Sequence, residues 1–290
     1  MWYVAGIDPA AGGVGRTKTG KDRTASDDFA IATMRGMPEG TAELVNLERY
    51  SGLTDDQMSA VIHQKHQKFN YDLLLMDPNG GGLFVRDKLR NPMQDTGREK
   101  FRVTPLITRD DEQMAGVGDD RLVLFGRSDS RIVGKPNDPM CPGVGLIFNA
   151  ESMLPNKMHE LFRGVLESSP QRIAFPARWP GWSKVNFSDA NEMRDYLNEQ
   201  GNLKPRDRAS AEIDLALAQL IQVDRKMNPD MTTPYQDKFG FYEFVSSQKK
   251  DSAYAVVYAF FALWILRQEH EFFNRNITPN EGIYLSSDEV

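Results

Sequence analysis

Two short apolar segments of this chain each end in an aspartate that is followed by proline. Residues 2–7 lead into Asp8-Pro9, and the largely apolar residues 71–76 lead into Asp77-Pro78. Short apolar runs bounded by turn residues are typical of buried strands. A third acid, Asp251, begins the apolar helical stretch 252–267. Because clustered carboxylates repel unless a cation compensates them, the pattern predicts bound metal and chemistry on phosphate.

The chain has 290 residues, which is enough for one large α/β domain with insertions or for two small domains. The apolar stretch 253–266 is too short to span a membrane, and we find no secretory signal at the N-terminus. Cys141 is the single cysteine, so an internal disulfide is excluded and a cysteine-based zinc site is disfavoured. These features favour a reducing, intracellular setting.

The net charge of −6 argues against a general nucleic-acid binder. A metal site would nevertheless supply local positive charge, and basic residues occur in two clusters. Each cluster could contact a DNA backbone or form an ordinary solvated surface, and both interpretations stay open. The candidates for DNA binding are Arg16, Lys18, Lys21 and Arg23, together with Lys249 and Lys250.

The order of predicted elements defines the fold class. Thr54 is predicted to begin the first helix with a capping box. The chain then resembles an RNase H-like fold: α/β, with a central mixed sheet of five or more strands, three antiparallel and then parallel ones, flanked by helices and carrying hairpin and loop insertions. We expect strands at 2–8, 28–35, 42–49, 71–77 and 101–107, with helices after the third and fourth strands. We expect a single domain over residues 1–273 and a flexible tail over 274–290.

The middle of the chain has weaker patterns. The sequence predicts a short strand at 146–148 and a helix at 152–166, whereas 169–187 is irregular or a hairpin. Ser188 is predicted to cap a helix that ends near residue 200. Residues 208–226 fit either a strand or a helix, residues 227–248 form a loop with an aromatic patch at 239–244, and the last helix covers 251–273.

Several motifs, in order, resemble the nuclease domain of the large terminase subunit of tailed bacteriophages. The resemblance covers most of the chain, and each motif alone is weak. The motifs are Gly6-Ile7-Asp8-Pro9-Ala10, Asp77-Pro78-Asn79-Gly80-Gly81-Gly82, Leu146-Ile147-Phe148-Asn149, Glu212-Ile213-Asp214 and Gln248-Lys249-Lys250-Asp251-Ser252-Ala253-Tyr254-Ala255.

This resemblance implies a DNA endonuclease that cuts concatemeric viral DNA during genome packaging with little sequence preference. It implies two Mg²⁺ or Mn²⁺ ions and, as partners, double-stranded DNA, a terminase ATPase domain, the portal and the small terminase subunit. No ATPase motor fits in this chain, so we expect an excised nuclease domain or a subunit whose motor is separate. We expect a monomer in the cytoplasm of the infected bacterium, with no membrane association.

The catalytic and metal-binding residues that follow are Asp8, Asp77 and Asp251. Asp8 would bridge both ions, Asp77 would hold one and Asp251 the other. Asp27 or Asp28 is a possible supporting carboxylate. Taken singly, each acid also fits a turn or a helix cap, but those structural roles do not explain why all three adjoin buried elements.

Other motifs are interpreted as structural. Residues 15–22 match G-x-x-x-x-G-K but continue with Asp22, where a phosphate-binding loop needs Ser or Thr. The pairs His63/His66 and His159/His270 are predicted to lie at the surface, and three tryptophans are predicted to be core residues: Trp179, Trp182 and Trp264.

Two further function classes remain open. The first is another enzyme on a related fold, a Holliday-junction resolvase or an actin-like ATPase, although a resolvase is usually smaller and more basic and an actin-like ATPase needs a duplicated domain. The second is a non-catalytic RNase H-like docking module, against which the retention of all three acids argues.

Overall fold

The computed structural model describes most of the chain, and the findings below concern only the described residues. These are residues 1–9, 28–36, 40–77, 82–90, 93–95, 100–102, 106, 113–115, 121–125, 143–148, 153–168, 173–184, 186–221, 223–226, 241–244 and 250–274.

A mixed sheet, eight-stranded within the described residues, forms the centre of the structure. Its strands are β1 (Trp2–Asp8), β2 (Phe29–Gly36), β3 (Ala42–Tyr50), β4 (Leu73–Met76), β7 (Gln113–Ala115), β8 (Arg121–Phe125), β9 (Gly143–Phe148) and β10 (Ile173–Ala174). They lie side by side in the order β10-β3-β2-β1-β4-β9-β8-β7. β1, β2 and β3 are antiparallel neighbours, whereas β4 and β9 continue the sheet parallel to β1. The predicted α/β class, with three antiparallel strands followed by parallel ones, is confirmed at this level.

Helices cover both faces of the sheet. The described helices are α1 (Asp55–Phe69), α2 (Gly82–Arg90), α3 (Met153–Leu166), α4 (Ala190–Glu199), α5 (Pro205–Ile221) and α6 (Asp251–Asn274). α1 and α2 pack on one face, while α3, α5 and α6 pack on the other. In the described part of the chain, two hairpins lie outside the sheet, β5 (Met93–Asp95) with β6 (Lys100–Arg102) and β11 (Val223–Lys226) with β12 (Phe241–Phe244).

Helix α6 is apolar around nearly its whole circumference because it is buried on several sides. It packs against β1, β2 and β4 and also contacts α3 and α5. Its residues 255–263 are all almost completely buried. A helix that is apolar all round is expected in such a core position or in a membrane, but among the described helices none has the length and apolar character needed to cross a membrane.

Side-chain alternation along the strands separates two cores. In β1, Val4 belongs to the α6 side of the sheet, whereas Ala5 and Ile7 belong to the α1 and α2 side. Successive residues of a strand point to opposite faces. Gly6 and Asp8 therefore share the α6 side with Val4, which matters for the candidate site.

A local sequence signal predicted the start of α1 correctly. Thr54 forms the predicted capping box with Gln57, and Asn70, whose φ of 51° is left-handed, caps the other end of the helix. The cap of α4 is Asp189 instead of the predicted Ser188, because the Asp189 carboxylate accepts from the backbone N–H groups of Asn191 and Glu192. The ambiguous residues 208–226 divide into helix α5 and strand β11.

The strand predicted at 101–107 is wrong for the part of it that the structure describes as a strand. Phe101 and Arg102 belong to β6, which pairs with β5 in a hairpin separate from the central sheet. The strand that pairs with β4 is β9, and it includes the predicted short strand at 146–148. A local apolar pattern identifies a strand but not its partner, because pairing depends on tertiary packing. The predicted loop at 9–27, apart from Pro9, and the predicted tail at 274–290, apart from Asn274, lie outside the described residues. Most of the predicted loop at 227–248 also lies outside them, but its residues 241–244 form strand β12 instead.

Candidate metal centre

Asp8 and Asp77 stand at the carboxyl ends of two neighbouring parallel strands. The last paired residues of β1 and β4 are Ile7 and Met76, so the two aspartates follow in register. Neighbouring strands are roughly 5 Å apart. At this edge the first residue of α2 lies close to the end of β4, since a Cβ on Gly82 would lie 1.9 Å from the carbonyl oxygen of Asp77.

The two aspartates also share the face of the sheet that α6 covers. In β4, Leu73 and Leu75 pack on the α6 side and Leu74 and Met76 on the other. Alternation then directs Asp77 to the α6 side, as it does Asp8 in β1. The register and the pleat together bring these carboxylates to one edge and one face.

Helix α6 runs antiparallel to β1, so its first turn lies above this edge. A Cβ on Gly6 would lie 2.0 Å from the carbonyl oxygen of Ala255, which places the second turn of α6 on the middle of β1. Leu263 covers Gly36, which pairs with Trp2 at the opposite end of β1. Asp251 precedes Ala255 by one turn, about 6 Å along the helix axis. It therefore lies toward the same edge as Asp8.

Two tyrosines of α6 line the space beside the aspartates. The Tyr258 hydroxyl donates to Oδ2 of Asp77 over 3.4 Å. The Tyr254 ring stacks on the Tyr258 ring, with centroids 5.7 Å apart and planes 15° apart. The Lys250 ammonium lies 4.9 Å from the centroid of the Tyr254 ring, on the side of the helix start. Lys250, Tyr254 and Tyr258 are spaced four residues apart, so they form one stripe that begins just before α6 and continues along its first two turns.

The electrostatics of the tyrosines reflect the nearby acids. Burial raises the pKa of Tyr258 well above its usual value, and the carboxylates of Asp77 and Asp8 raise it further. Burial likewise raises the pKa of Tyr254; Lys250 opposes this shift, whereas Asp8 and Asp77 add to it. Both phenols are therefore protonated near neutral pH, and the negative charges of Asp8 and Asp77 raise the pKa of each.

His159 of α3 borders the same stripe. The prediction that it lies at the surface is therefore wrong. His159 is 7% exposed, and its ring meets that of Tyr254 edge-on with centroids 6.1 Å apart. Burial, with the nearby Lys250, lowers the pKa of His159 to about 4. The apolar periodicity of α3 was the available signal, because it places residue 159 next to the buried Met158 and Phe162.

The prediction was also wrong for His66, whereas His63 is only partly buried. His66 is buried and its Nδ1 accepts from the backbone N–H of Tyr71, while burial lowers the pKa of His63 to about 4. Of the tryptophans predicted as core, Trp182 is almost fully buried, whereas Trp179 and Trp264 are partly buried against hydrophobic clusters. The side chain of His270 lies outside the described residues.

Asp28 lies at the same edge, but it belongs to a buried ion network. Its carboxylate accepts from Arg49 and from the Ser51 hydroxyl, which is 2.6 Å away. The Arg49 Nε also donates to Glu212 of α5 over 3.1 Å, and Arg208 pairs with Glu212 at 2.7 Å. A supporting role of Asp28 in metal binding stays a prediction, and such a role would compete with Arg49 for the carboxylate.

The donor set at this edge suits a hard divalent cation. Asp8 and Asp77 offer carboxylate oxygens, the ligands that Mg²⁺ and Mn²⁺ prefer. Asp251 is 5% exposed at the start of α6. Within the part of the chain that the structure describes, no three acids, histidines or cysteines form a closed group that could hold a metal ion. The structure thus brings Asp8 and Asp77 together and orients the start of α6 toward them, without closing a three-carboxylate cage.

Most of the predicted DNA-binding residues lie outside the described residues. These are Arg16, Lys18, Lys21, Arg23 and Lys249. Asp27 and the G-x-x-x-x-G-K segment also lie outside the described residues. Lys250 is described and is exposed beside Tyr254. The aromatic patch partly forms strand β12.

Comparisons with models of protein families, with curated proteins and with solved structures find no match for this chain.

Proposed function

We propose that this chain is a metal-dependent DNA endonuclease with an RNase H-like core, of the kind found in large terminase subunits. The observation that carries the proposal is the pair Asp8 and Asp77, which stand in register on one face of two parallel strands. An ordinary turn or cap role explains neither the shared face nor the shared edge. The antiparallel course of α6, which brings its first turn and Asp251 to that edge, adds support.

The strand order supports the fold part of the proposal. The antiparallel set β1, β2 and β3 is followed by β4 and β9, both parallel in direction to β1. The segment between α2 and β9 is then an insertion that precedes the fifth central strand. The domain is proposed to cover residues 1–273, with a C-terminal tail at 274–290.

The proposed chemistry is hydrolysis of a phosphodiester. Two divalent cations would supply an activated water and neutralise the charge on the leaving 3′-oxygen. Asp8 would contribute ligands to both ions, Asp77 to one and Asp251 to the other. Tyr254 and Tyr258 close the α6 side of the site, and the exposed Lys250 can neutralise a phosphate of the incoming backbone.

In its proposed biological setting, the chain cuts concatemeric viral DNA in the cytoplasm of an infected bacterium. It would act with an ATPase motor, the portal and the small terminase subunit. The negative net charge of −6 fits a nuclease that depends on such partners for delivery of DNA better than it fits a nuclease that binds DNA tightly by itself.

A plasmid assay tests the proposal. Supercoiled DNA is incubated with the chain in Mn²⁺, Mg²⁺ or EDTA, and nicked and linear products are quantified. We expect metal-dependent nicking and linearisation by the wild type and none by Asp77→Asn. Cleavage in EDTA, or equal cleavage by Asp77→Asn, would exclude the proposed site.

Three parallel measurements separate the alternatives. Preferred cutting of four-way junctions over linear duplex would indicate a resolvase, and ATP turnover would indicate an actin-like ATPase. No cleavage and no Mn²⁺ binding would indicate a docking module.

A further inference from the structure

The close packing of α6 on β1 holds Tyr258 against the candidate metal site. Gly6 leaves no space between the strand and the backbone of Ala255 and Ala259, since a Cβ there would lie 2.0 and 2.2 Å from their atoms. Tyr258 lies between these two alanines in the helix and is 3% exposed. The backbone that carries Tyr258 is therefore fixed relative to the sheet edge.

The ring of Tyr258 is fixed as well. It stacks nearly parallel on Tyr254, with planes 15° apart, and the Tyr254 ring in turn meets the buried His159. Aromatic pairs in such offset arrangements resist rotation because the surrounding core is close-packed. A rotation that removed the hydroxyl from Asp77 would break this stack.

The hydroxyl of Tyr258 meets Asp77 at a single atom. It donates to Oδ2 over 3.4 Å, which is longer than the roughly 2.7–2.8 Å that is usual for such a bond. A neutral phenol orients a carboxylate without cancelling its charge, which leaves that charge for a cation. Partners that orient metal-binding carboxylates commonly change metal affinity or activity by roughly 10–100-fold.

We propose that Tyr258 is a positioning residue, which sets the orientation of the Asp77 carboxylate for cation binding through the hydrogen bond to Oδ2. This role rests on the proposed function, because it assumes that Asp77 binds the cation. In this role Tyr258 acts through Asp77, the residue that its hydroxyl contacts. The four-residue spacing makes Tyr254 the support that holds the Tyr258 ring in place.

The test compares Tyr258→Phe with a matched loss of another buried phenol hydroxyl. Tyr71 is 2% exposed, and its hydroxyl shares a 2.7 Å hydrogen bond with Thr33 on the α1 side of the sheet. Tyr71→Phe therefore also removes a buried phenol hydroxyl and its hydrogen bond, here to a neutral hydroxyl partner away from the aspartates. Mn²⁺ binding is measured by electron paramagnetic resonance of the free ion, without DNA, and cleavage kinetics are measured at saturating and limiting Mn²⁺.

We expect Tyr258→Phe to weaken Mn²⁺ binding by about 10-fold or more. We also expect a lower kcat at limiting Mn²⁺, partial rescue by excess Mn²⁺ and an unchanged KM for DNA. Tyr71→Phe should leave Mn²⁺ affinity unchanged. A merely structural role would change the thermal midpoint of both variants without a selective loss of Mn²⁺ affinity.

The outcomes distinguish this role from the proposed function. If Asp77→Asn abolishes Mn²⁺ binding while Tyr258→Phe binds like the wild type, the positioning role is overturned and the nuclease proposal stands. If the wild type itself binds no Mn²⁺ and cuts no DNA, the proposed function fails, and the positioning role falls with it.

Discussion

Gly6 of β1 lies directly against Ala255 of α6, so closely that a Cβ on Gly6 would be 2.0 Å from the carbonyl oxygen of Ala255. Because this neighbour is backbone, it cannot turn aside as a flexible side chain could. The contact sets the distance between the central helix and the sheet, and with it the positions of Tyr258 and Asp251 relative to Asp8.

The substitution Gly6→Ala should force α6 away from β1. We expect a loss of unfolding free energy of about 3 kcal/mol or more, at the upper end of the cost of overpacking, because the clash is with main chain. Urea unfolding followed by circular dichroism measures it. The control is Gly164→Ala in α3, where a Cβ meets nothing within 4 Å and a gain of about 0.5–1 kcal/mol is expected. A Gly6→Ala protein as stable as the wild type would contradict the described packing.

Replacing any one of Asp8, Asp77 and Asp251 by asparagine should abolish DNA cleavage while the fold survives. Without divalent cations the melting temperature should stay equal or rise, because one of several neighbouring like charges is removed. Plasmid cleavage and differential scanning calorimetry provide the two measurements. Asp195→Asn on α4, an exposed aspartate paired with Arg194, serves as the control and should cut normally. Full cleavage by one of the three variants would remove that residue from the site.

Arg49 should contribute strongly to stability, because it holds the two buried carboxylates of Asp28 and Glu212. Arg49→Met leaves both acids without this guanidinium in a region that excludes water. We expect a loss of about 3–5 kcal/mol in the free energy of unfolding, measured by urea denaturation at pH 7. In the control, Arg35→Met removes an exposed partner of Glu43 and should change stability little. Equal effects of the two variants would mean that the network is not buried.

We predict that the folded protein loses stability in mild acid because of His159. Its folded-state pKa is lowered to about 4 from 6.5, so the unfolded chain binds the proton more readily. The contribution of the neutral His159 to the free energy of unfolding is complete above pH 6.5 and is lost as the pH falls toward 4. Between pH 7 and pH 5 the loss should be about 2 kcal/mol from this group.

Urea unfolding of the wild type and of His159→Gln at both pH values isolates this contribution. The variant should show a pH dependence that is smaller by about 2 kcal/mol, whatever its absolute stability. His63 titrates in the same direction in both proteins and therefore cancels in the comparison. An unchanged pH dependence would indicate that His159 is accessible to protons in the folded chain.

Lys250 should add to DNA affinity through one phosphate contact. Lys250→Gln is expected to reduce the slope of log K against log salt concentration by about 1, with little effect on sequence preference. Fluorescence anisotropy with duplex DNA between 50 and 200 mM salt, without divalent cations, gives this slope. Lys88→Gln, which removes a partner of Asp56 on the other face of the sheet, should leave the slope unchanged. The same slope in wild type and Lys250→Gln would exclude the contact.

The elements with strong local patterns could be predicted from the sequence. The apolar runs predicted β1 and β4, the capping box predicted α1, and the continuous apolar stretch predicted α6. The same runs identified Asp8, Asp77 and Asp251 as residues that adjoin buried elements. These inferences succeeded because capping and hydrophobic periodicity depend on residues close together in the chain.

The tertiary structure decided which distant residues meet. In the fold, β4 pairs with β9 and not with the strand predicted at 101–107. Arg49 donates to both Asp28 and Glu212, and His159 is buried beside Tyr254. The fold also brought Tyr258 to Asp77 across 181 residues. No local pattern encodes these contacts, because strand pairing and side-chain burial are set by packing between elements that lie far apart in sequence. The sequence by itself therefore determined the candidate acids and the elements that carry them, and only the fold determined which residues surround them.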